Sequence, residues 1–127
     1  MIKTLFVVGV GSFFGGAFRH YISTIVKNSC NSGFPWGTLA VNLVGCFLFG
    51  LIFALFGKLG SQASNWCLLF TTGLCGGFTT FSAFANESMS MLGAGNFSGF
   101  AAYVAMSVCV GVLLVACGYA VARYMVF

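Results

Sequence analysis

Polar groups are scarce in this chain, so the few inside its apolar runs mark where chemistry is possible. The densest cluster is Gly73-Leu74-Cys75-Gly76-Gly77-Phe78-Thr79-Thr80-Phe81-Ser82-Ala83-Phe84. Glycine is less favourable than alanine in a helix by about 1 kcal/mol, and threonine is also a poor helix former. The cluster therefore predicts a break in the helix that carries it. In hydrocarbon, a break frees carbonyl and N–H groups that lipid cannot satisfy, so an ion, water or partner chain must meet them. Membrane transporters place ion sites at discontinuous helices of this kind. A Gly73-xxx-Gly77 packing contact accounts for the glycines but leaves the hydroxyls unexplained.

Other groups have the right chemistry for a small anion. Phe81 and Phe84 are three apart and share a helical face. A phenyl ring is positive at its edge, so two ring edges attract an anion without the trap of a full charge. Asn42, in the run GTLAVNLVGCFLFG, offers two donors and an acceptor. It serves equally as a pore-lining donor or as interhelical glue. Thr38 lies one turn before it, and Gly45, three residues on, leaves room for a neighbour. Tyr103, Ser107 and Gly111 recur every four residues on one face. Their hydroxyls suit either an anion or a bond across a bundle. Arg19 reads as a cation reaching the headgroups, with Glu87 the only acid able to pair with it. Phe53 reads as a lipid-facing ring.

The elements that hold these residues follow from composition. Of 127 residues, 60% are hydrophobic and 5% are charged. A soluble domain carries about 25% charged residues. Lipid must therefore be the solvent for most of this surface, and the expected fold is an all-α membrane protein. A span needs about 20 residues to cross roughly 30 Å of hydrocarbon. Four windows qualify, at about 4–26, 36–56, 66–91 and 100–121, within one transmembrane domain over 1–127. The third span is the one expected to break near the midplane. The polar loop 28–35 ends at Pro35, which suits the start of a helix. Lys3 before an apolar run resembles a signal peptide, but Arg19 and His20 follow without a small-residue cleavage pattern, so a retained helix is expected.

The charges exclude several functions. A net charge of +4 made of isolated cations is no nucleic-acid footprint. Six cysteines without a C-x-x-C pair, and a single His20, give little basis for a metal centre, a redox site or a quinone-linked thiol oxidase. No catalytic constellation is visible, so no enzyme is expected. A small multidrug exporter, the main alternative, needs an ionisable group in the membrane core, and Glu87 lies beyond the expected break. A non-transporting membrane subunit needs neither a broken helix nor a row of hydroxyls. With four spans, Lys3, Lys58 and Arg123 share one side; Lys27 and, if it reaches, Arg19 share the other. That near balance gives no firm orientation by the positive-inside rule. Two copies inserted oppositely would form an inverted repeat.

Three motifs in order carry a resemblance. They are Gly15-Gly16-Ala17-Phe18-Arg19, then Pro35-Trp36-Gly37-Thr38 with Asn42-Leu43-Val44-Gly45, then Gly76-Gly77-Phe78-Thr79-Thr80-Phe81-Ser82 with Glu87 five residues on. Over nearly its whole length the chain resembles the Fluc (CrcB) fluoride channels, bacterial and fungal proteins that export fluoride passively. The resemblance implies a multi-pass protein of the inner or plasma membrane, with fluoride and lipid as partners. It implies an antiparallel, dual-topology homodimer with two pores. It further implies a structural sodium ion at the dimer centre, held by the backbone carbonyls of Gly77 and Thr80. Phe81 and Phe84 match the phenylalanine box of that family, and Asn42 matches its helix 2 asparagine beside the fluoride path; for such a pore, the Ser82 hydroxyl is a further donor. Tyr103 and Ser107 match its polar track. Gly111 and Ala83 stand where hydroxyls are expected.

Overall fold

The structure, a computed structural model, describes residues 1–125. The last two residues of the expected domain lie outside the described residues. Four helices are long and apolar enough to cross a membrane: α1 (Ile2–Ser29), α2 (Trp36–Lys58), α3 (Asn65–Gly93) and α4 (Phe97–Met125). No strand occurs among the described residues. Each helix runs two or more residues past at least one end of its apolar window. Helical hydrogen bonding continues into the polar interface, whereas hydropathy stops at the first charge or loop residue.

The ends of the helices are set locally. Pro35 occupies the position before Trp36 and opens α2. Ser64 caps α3 by accepting from Cys67 N at 3.2 Å, and Asn96 caps α4 by accepting from Gly99 N at 3.0 Å. α2 and α3 both end on a left-handed glycine, Gly60 (φ 67°) and Gly95 (φ 74°). At these ends Ser61 N bonds Phe56 O at 2.9 Å and Asn96 N bonds Met91 O at 2.9 Å, which satisfies carbonyls of the final turns.

α2 packs along α4, and α1 packs along the first half of α3. The second contact is backbone against backbone. A Cβ at Gly11 would lie 2.9 Å from the Gly73 Cα, one at Gly15 would lie 2.8 Å from Phe78 N, and one at Gly77 would lie 2.6 Å from Ser12 O. Two G-x-x-x-G faces thus meet, Gly11/Gly15 on α1 and Gly73/Gly77 on α3. The second was visible in the sequence; the first is equally visible once α1 is searched for the same spacing. The glycine run of α3 remains helical, partly as a π-helical segment at Leu69–Cys75. Its glycines serve close packing. A smaller aromatic and aliphatic core gathers Leu39, Met91 and Tyr103, with Phe34, Phe84 and Phe100 packed around it. Phe53 is not a free lipid-facing ring. It stacks on Phe49 with centroids 5.7 Å apart and leans on Tyr119 at 6.2 Å, because α4 closes over that side of α2.

Candidate functional site

The site begins where α3 stops being a helix. The Gly76–Phe78 turn ends at Thr79 (φ −85°, ψ 157°), and Thr80 (φ −147°, ψ 116°) is extended before Phe81–Gly93 resumes the helix. Both residues are β-branched, which suits an extended backbone. Gly45 of α2 makes room for the interruption: a Cβ there would collide with the Thr79 methyl and lie 3.3 Å from Phe78 Cδ1.

The N–H and C=O groups of Thr79 and Thr80 are met by protein. Thr79 N donates to Cys75 O at 3.0 Å. The Thr79 carbonyl accepts from Arg19 Nη1 at 3.3 Å. Asn42 makes a two-bond clasp on Thr80: its Oδ1 accepts from Thr80 N at 2.7 Å and its Nδ2 donates to Thr80 O at 3.1 Å. The amide replaces the helical partner that Thr80 N–H would have found in the Gly76 carbonyl. Thr80 also caps the second half of α3, accepting from Ala83 N at 3.3 Å, and shares a 3.3 Å contact with Ser82 Oγ. Asn42 is thereby interhelical glue, with one N–H left over. Arg19 is not simply a headgroup cation. It is half-buried and capped onto a carbonyl that only the interruption exposes, and it does not meet Glu87.

Glu87 has other partners, which sequence reasoning left unassigned. Thr38 donates to its Oε1 at 2.6 Å and Tyr103 donates to its Oε2 at 2.8 Å. One carboxylate thus ties α2, α3 and α4 together. The signal was available in part, because Thr38 and Asn42 share a face and both reach α3. The Tyr103 hydroxyl proton is accordingly directed at Glu87 and not into open space, and the side chain is fully buried.

The aromatic groups continue from the interruption. Phe81 and Phe84 are 5.6 Å apart between centroids, and Phe84 meets Tyr103 edge-to-face at 5.0 Å. Phe34 extends the series, 5.5 Å from Tyr103 and 4.6 Å from Trp36. Phe81 is 80% exposed. The Ser107 hydroxyl is buried without a hydrogen-bond partner among the described residues. It shares no bond with Asn42, Ser82 or Tyr103, and the π-helical turn Met106–Val110 lies between Tyr103 and Gly111 and disturbs their even four-residue register. Gly77 packs on Ser12 as described, one turn before the interruption.

A cavity of about 1140 Å³ opens beside these groups, lined by Arg19, Lys27, Thr38, Thr80, Ser82 and Glu87 among others. Two cations, of which Arg19 is held in place, against one carboxylate make it a concave, electropositive approach to the interruption. No cluster of three or more His, Cys, Asp or Glu side chains occurs among the described residues. The polar groups present beside the interruption are neutral donors and aromatic ring edges, a chemistry that suits a small anion. A cation here would be held by backbone carbonyls.

The chain is similar over nearly its whole length to curated proteins. A curated relative from Phocaeicola vulgatus is 38% identical over 92% of this chain and 96% of its own. One from Azobacteroides pseudotrichonymphae is 36% identical over 98% of this chain and 99% of its own. A third, from Rhizobium etli, is 37% identical over 99% of this chain and all of its own length. All three are named fluoride-specific ion channel FluC. The family profile described as CrcB-like protein, camphor resistance, matches residues 6–119, and the chain belongs to the CrcB family.

Proposed function

We propose that this protein is a fluoride-selective ion channel that lets fluoride leave the cell passively. The observation that carries this reading is the end-to-end similarity to relatives named fluoride-specific ion channels. The protein is a multi-pass membrane protein, and its site suits the task. Fluoride is small and strongly hydrated, so a conducting path must replace lost water with donors yet hold the ion weakly enough to release it. The remaining Asn42 N–H, the Ser82 hydroxyl, the unpartnered Ser107 hydroxyl and the edges of Phe81 and Phe84 are neutral groups of that kind. Tyr103 orients Glu87 and lends its ring to the aromatic series. The multidrug-exporter alternative gains nothing: the one carboxylate already accepts two hydrogen bonds. Proteoliposomes loaded with fluoride should empty when a potassium ionophore balances charge. Efflux that requires a proton gradient would contradict the reading.

The working unit is proposed to be an antiparallel homodimer. The balanced cations support it, as does the exposure of Phe81 and Ser82 on one protomer, since a pore wall needs a second surface to close it. Reporters on the C-terminus should score on both sides of the membrane; a single-sided signal would sink the dual orientation.

A structural sodium is proposed at the dimer axis, held by the Gly77 and Thr80 carbonyls of each copy. An oxygen-only donor set suits a hard cation. The Thr80 carbonyl has a second lone pair beyond the bond from Asn42. Bound there, the ion would fix the two interruptions against each other and offset carbonyl charge. Density on that axis at sodium distances is the test, and a water in its place would refute it.

A further inference from the structure

Ser107 is not alone among the described residues in having a buried hydroxyl without a hydrogen-bond partner; Ser88 has one too. Ser88 is 7% exposed and lies within Phe81–Gly93, the second half of α3. A helical serine or threonine ordinarily spends its hydroxyl on the carbonyl four residues back. Elsewhere in α3, Thr71, Thr79 and Ser90 do so, at 2.7, 3.0 and 3.0 Å. Ser88 makes no such bond, so its donor is still to be used.

The helix sets its place. Phe84 lies four residues before Ser88 and Met91 three after it, so the three share a face. Phe84 and Met91 both belong to the apolar cluster around Tyr103. Phe84 meets the Tyr103 ring edge-to-face at 5.0 Å. The short turn at 94–96 joins α3 to α4, so the two helices run in opposite directions. Ser88 therefore stands one turn from the Phe84–Tyr103 pair on the side of that turn. Ser107, four residues beyond Tyr103, stands on the other side, toward the interruption.

We infer that the Ser88 hydroxyl is a further donor on the fluoride path, so that an anion at the Phe84–Tyr103 ring pair has a free O–H one turn away on each side. This rests on the channel reading above and adds a residue to it. The surroundings select an anion. The cluster supplies ring edges, which are positive, and the Tyr103 hydroxyl is already committed to Glu87. A resident water needs about two to four polar partners, which this apolar cluster does not offer. A small anion is served by one hydroxyl and the ring edges. A serine present only to let two helices approach needs no hydroxyl, and alanine would fill that role without desolvating one.

The test measures passive fluoride efflux from proteoliposomes over a range of fluoride concentrations, and the melting temperature of the same purified proteins in detergent. Ser88→Ala should lower flux at least about threefold and raise the fluoride concentration at half-maximal flux. Its melting temperature should be unchanged or higher, because a hydroxyl without a partner is removed. Ser88→Thr and Ser88→Val add the same bulk, and only threonine keeps the O–H, so the difference between them isolates the donor. Threonine should conduct at least about threefold better than valine. Equal flux from wild type and Ser88→Ala, or from the threonine and valine variants, would overturn the inference. So would a loss of flux in Ser88→Ala that comes only with a lower melting temperature. No flux from folded wild-type protein would overturn the channel reading and this inference together; the other outcomes leave the channel reading standing.

Discussion

α3 and α4 each contain a π-helical segment, at Leu69–Cys75 and Met106–Val110, yet only α3 abandons helical dihedrals, at Thr79 and Thr80. In α3 the N–H and C=O of both extended residues are met, by Cys75, Arg19 and the Asn42 clasp. In α4 the backbone stays helical, but the Ser107 hydroxyl is buried and has no partner among the described residues. The difference separates two jobs. α3 is a braced frame, in which side chains from α1 and α2 hold an irregular backbone that lipid could not tolerate. α4 is a helical scaffold that leaves the Ser107 hydroxyl available for something else, as the second half of α3, beyond the frame, does with the buried Ser88 hydroxyl. A backbone irregularity is thus a poor marker for a free donor; an unsatisfied side chain is a better one.

The largest effect should come from breaking the frame. Asn42→Ala strands the N–H and the C=O of Thr80, each at a cost of about 1–3 kcal/mol when buried. Melting temperature in detergent and fluoride flux should fall together, the flux to near background. Asn42→Asp keeps the acceptor for Thr80 N–H but sets a carboxylate oxygen against Thr80 O, so it should be intermediate in stability and still poorly conducting. If Asn42→Ala melts and conducts like wild type, the clasp holds nothing.

The aromatic pair should come next. Phe81→Ile or Phe84→Ile keeps apolar bulk and removes the ring quadrupole, and flux should drop at least ~10-fold, a barrier change of about 1.4 kcal/mol. Methionine, with its polarizable sulfur, should be milder at one or both positions. Stability should hold at Phe81, which is exposed, and dip at Phe84, which packs edge-to-face on Tyr103. Wild-type flux in both isoleucine variants would make the rings packing alone.

The smallest effect sharpens the α4 side of the contrast. Ser107→Ala removes an unpartnered buried hydroxyl, whose burial carries a cost of about 1–3 kcal/mol, so melting temperature should be unchanged or higher. Flux should nonetheless fall a few-fold, by about 1 kcal/mol or less of barrier. Unaltered flux with raised stability would mean that the hydroxyl is idle.

The sequence made some of this legible. Four apolar windows gave four helices, because hydrocarbon thickness fixes their length. The asymmetry between glycine and threonine within Gly73–Thr80 was only half readable. Poor helix propensity belongs to both, but glycines facing Gly11 and Gly15 gain backbone contact that outweighs it, while Thr79 and Thr80 have no such compensation. Thr38 and Asn42 could be placed on one face, but their partners Glu87 and Thr80 are long-range and leave no local trace. The Arg19 contact leaves no local trace either, since its acceptor is the Thr79 carbonyl and not a side chain. The π-helical segments have no composition that announces them.

The central claim is that this frame and its neutral donors conduct fluoride down its own gradient. The direct measurement is current through purified protein in a planar bilayer, with a tenfold fluoride gradient and equal pH on both sides. The reversal potential should lie near the fluoride equilibrium value, about 59 mV per tenfold gradient, and should stay there when chloride is varied on one side. A reversal potential that follows chloride or pH, or no current at all from folded protein, would contradict the account.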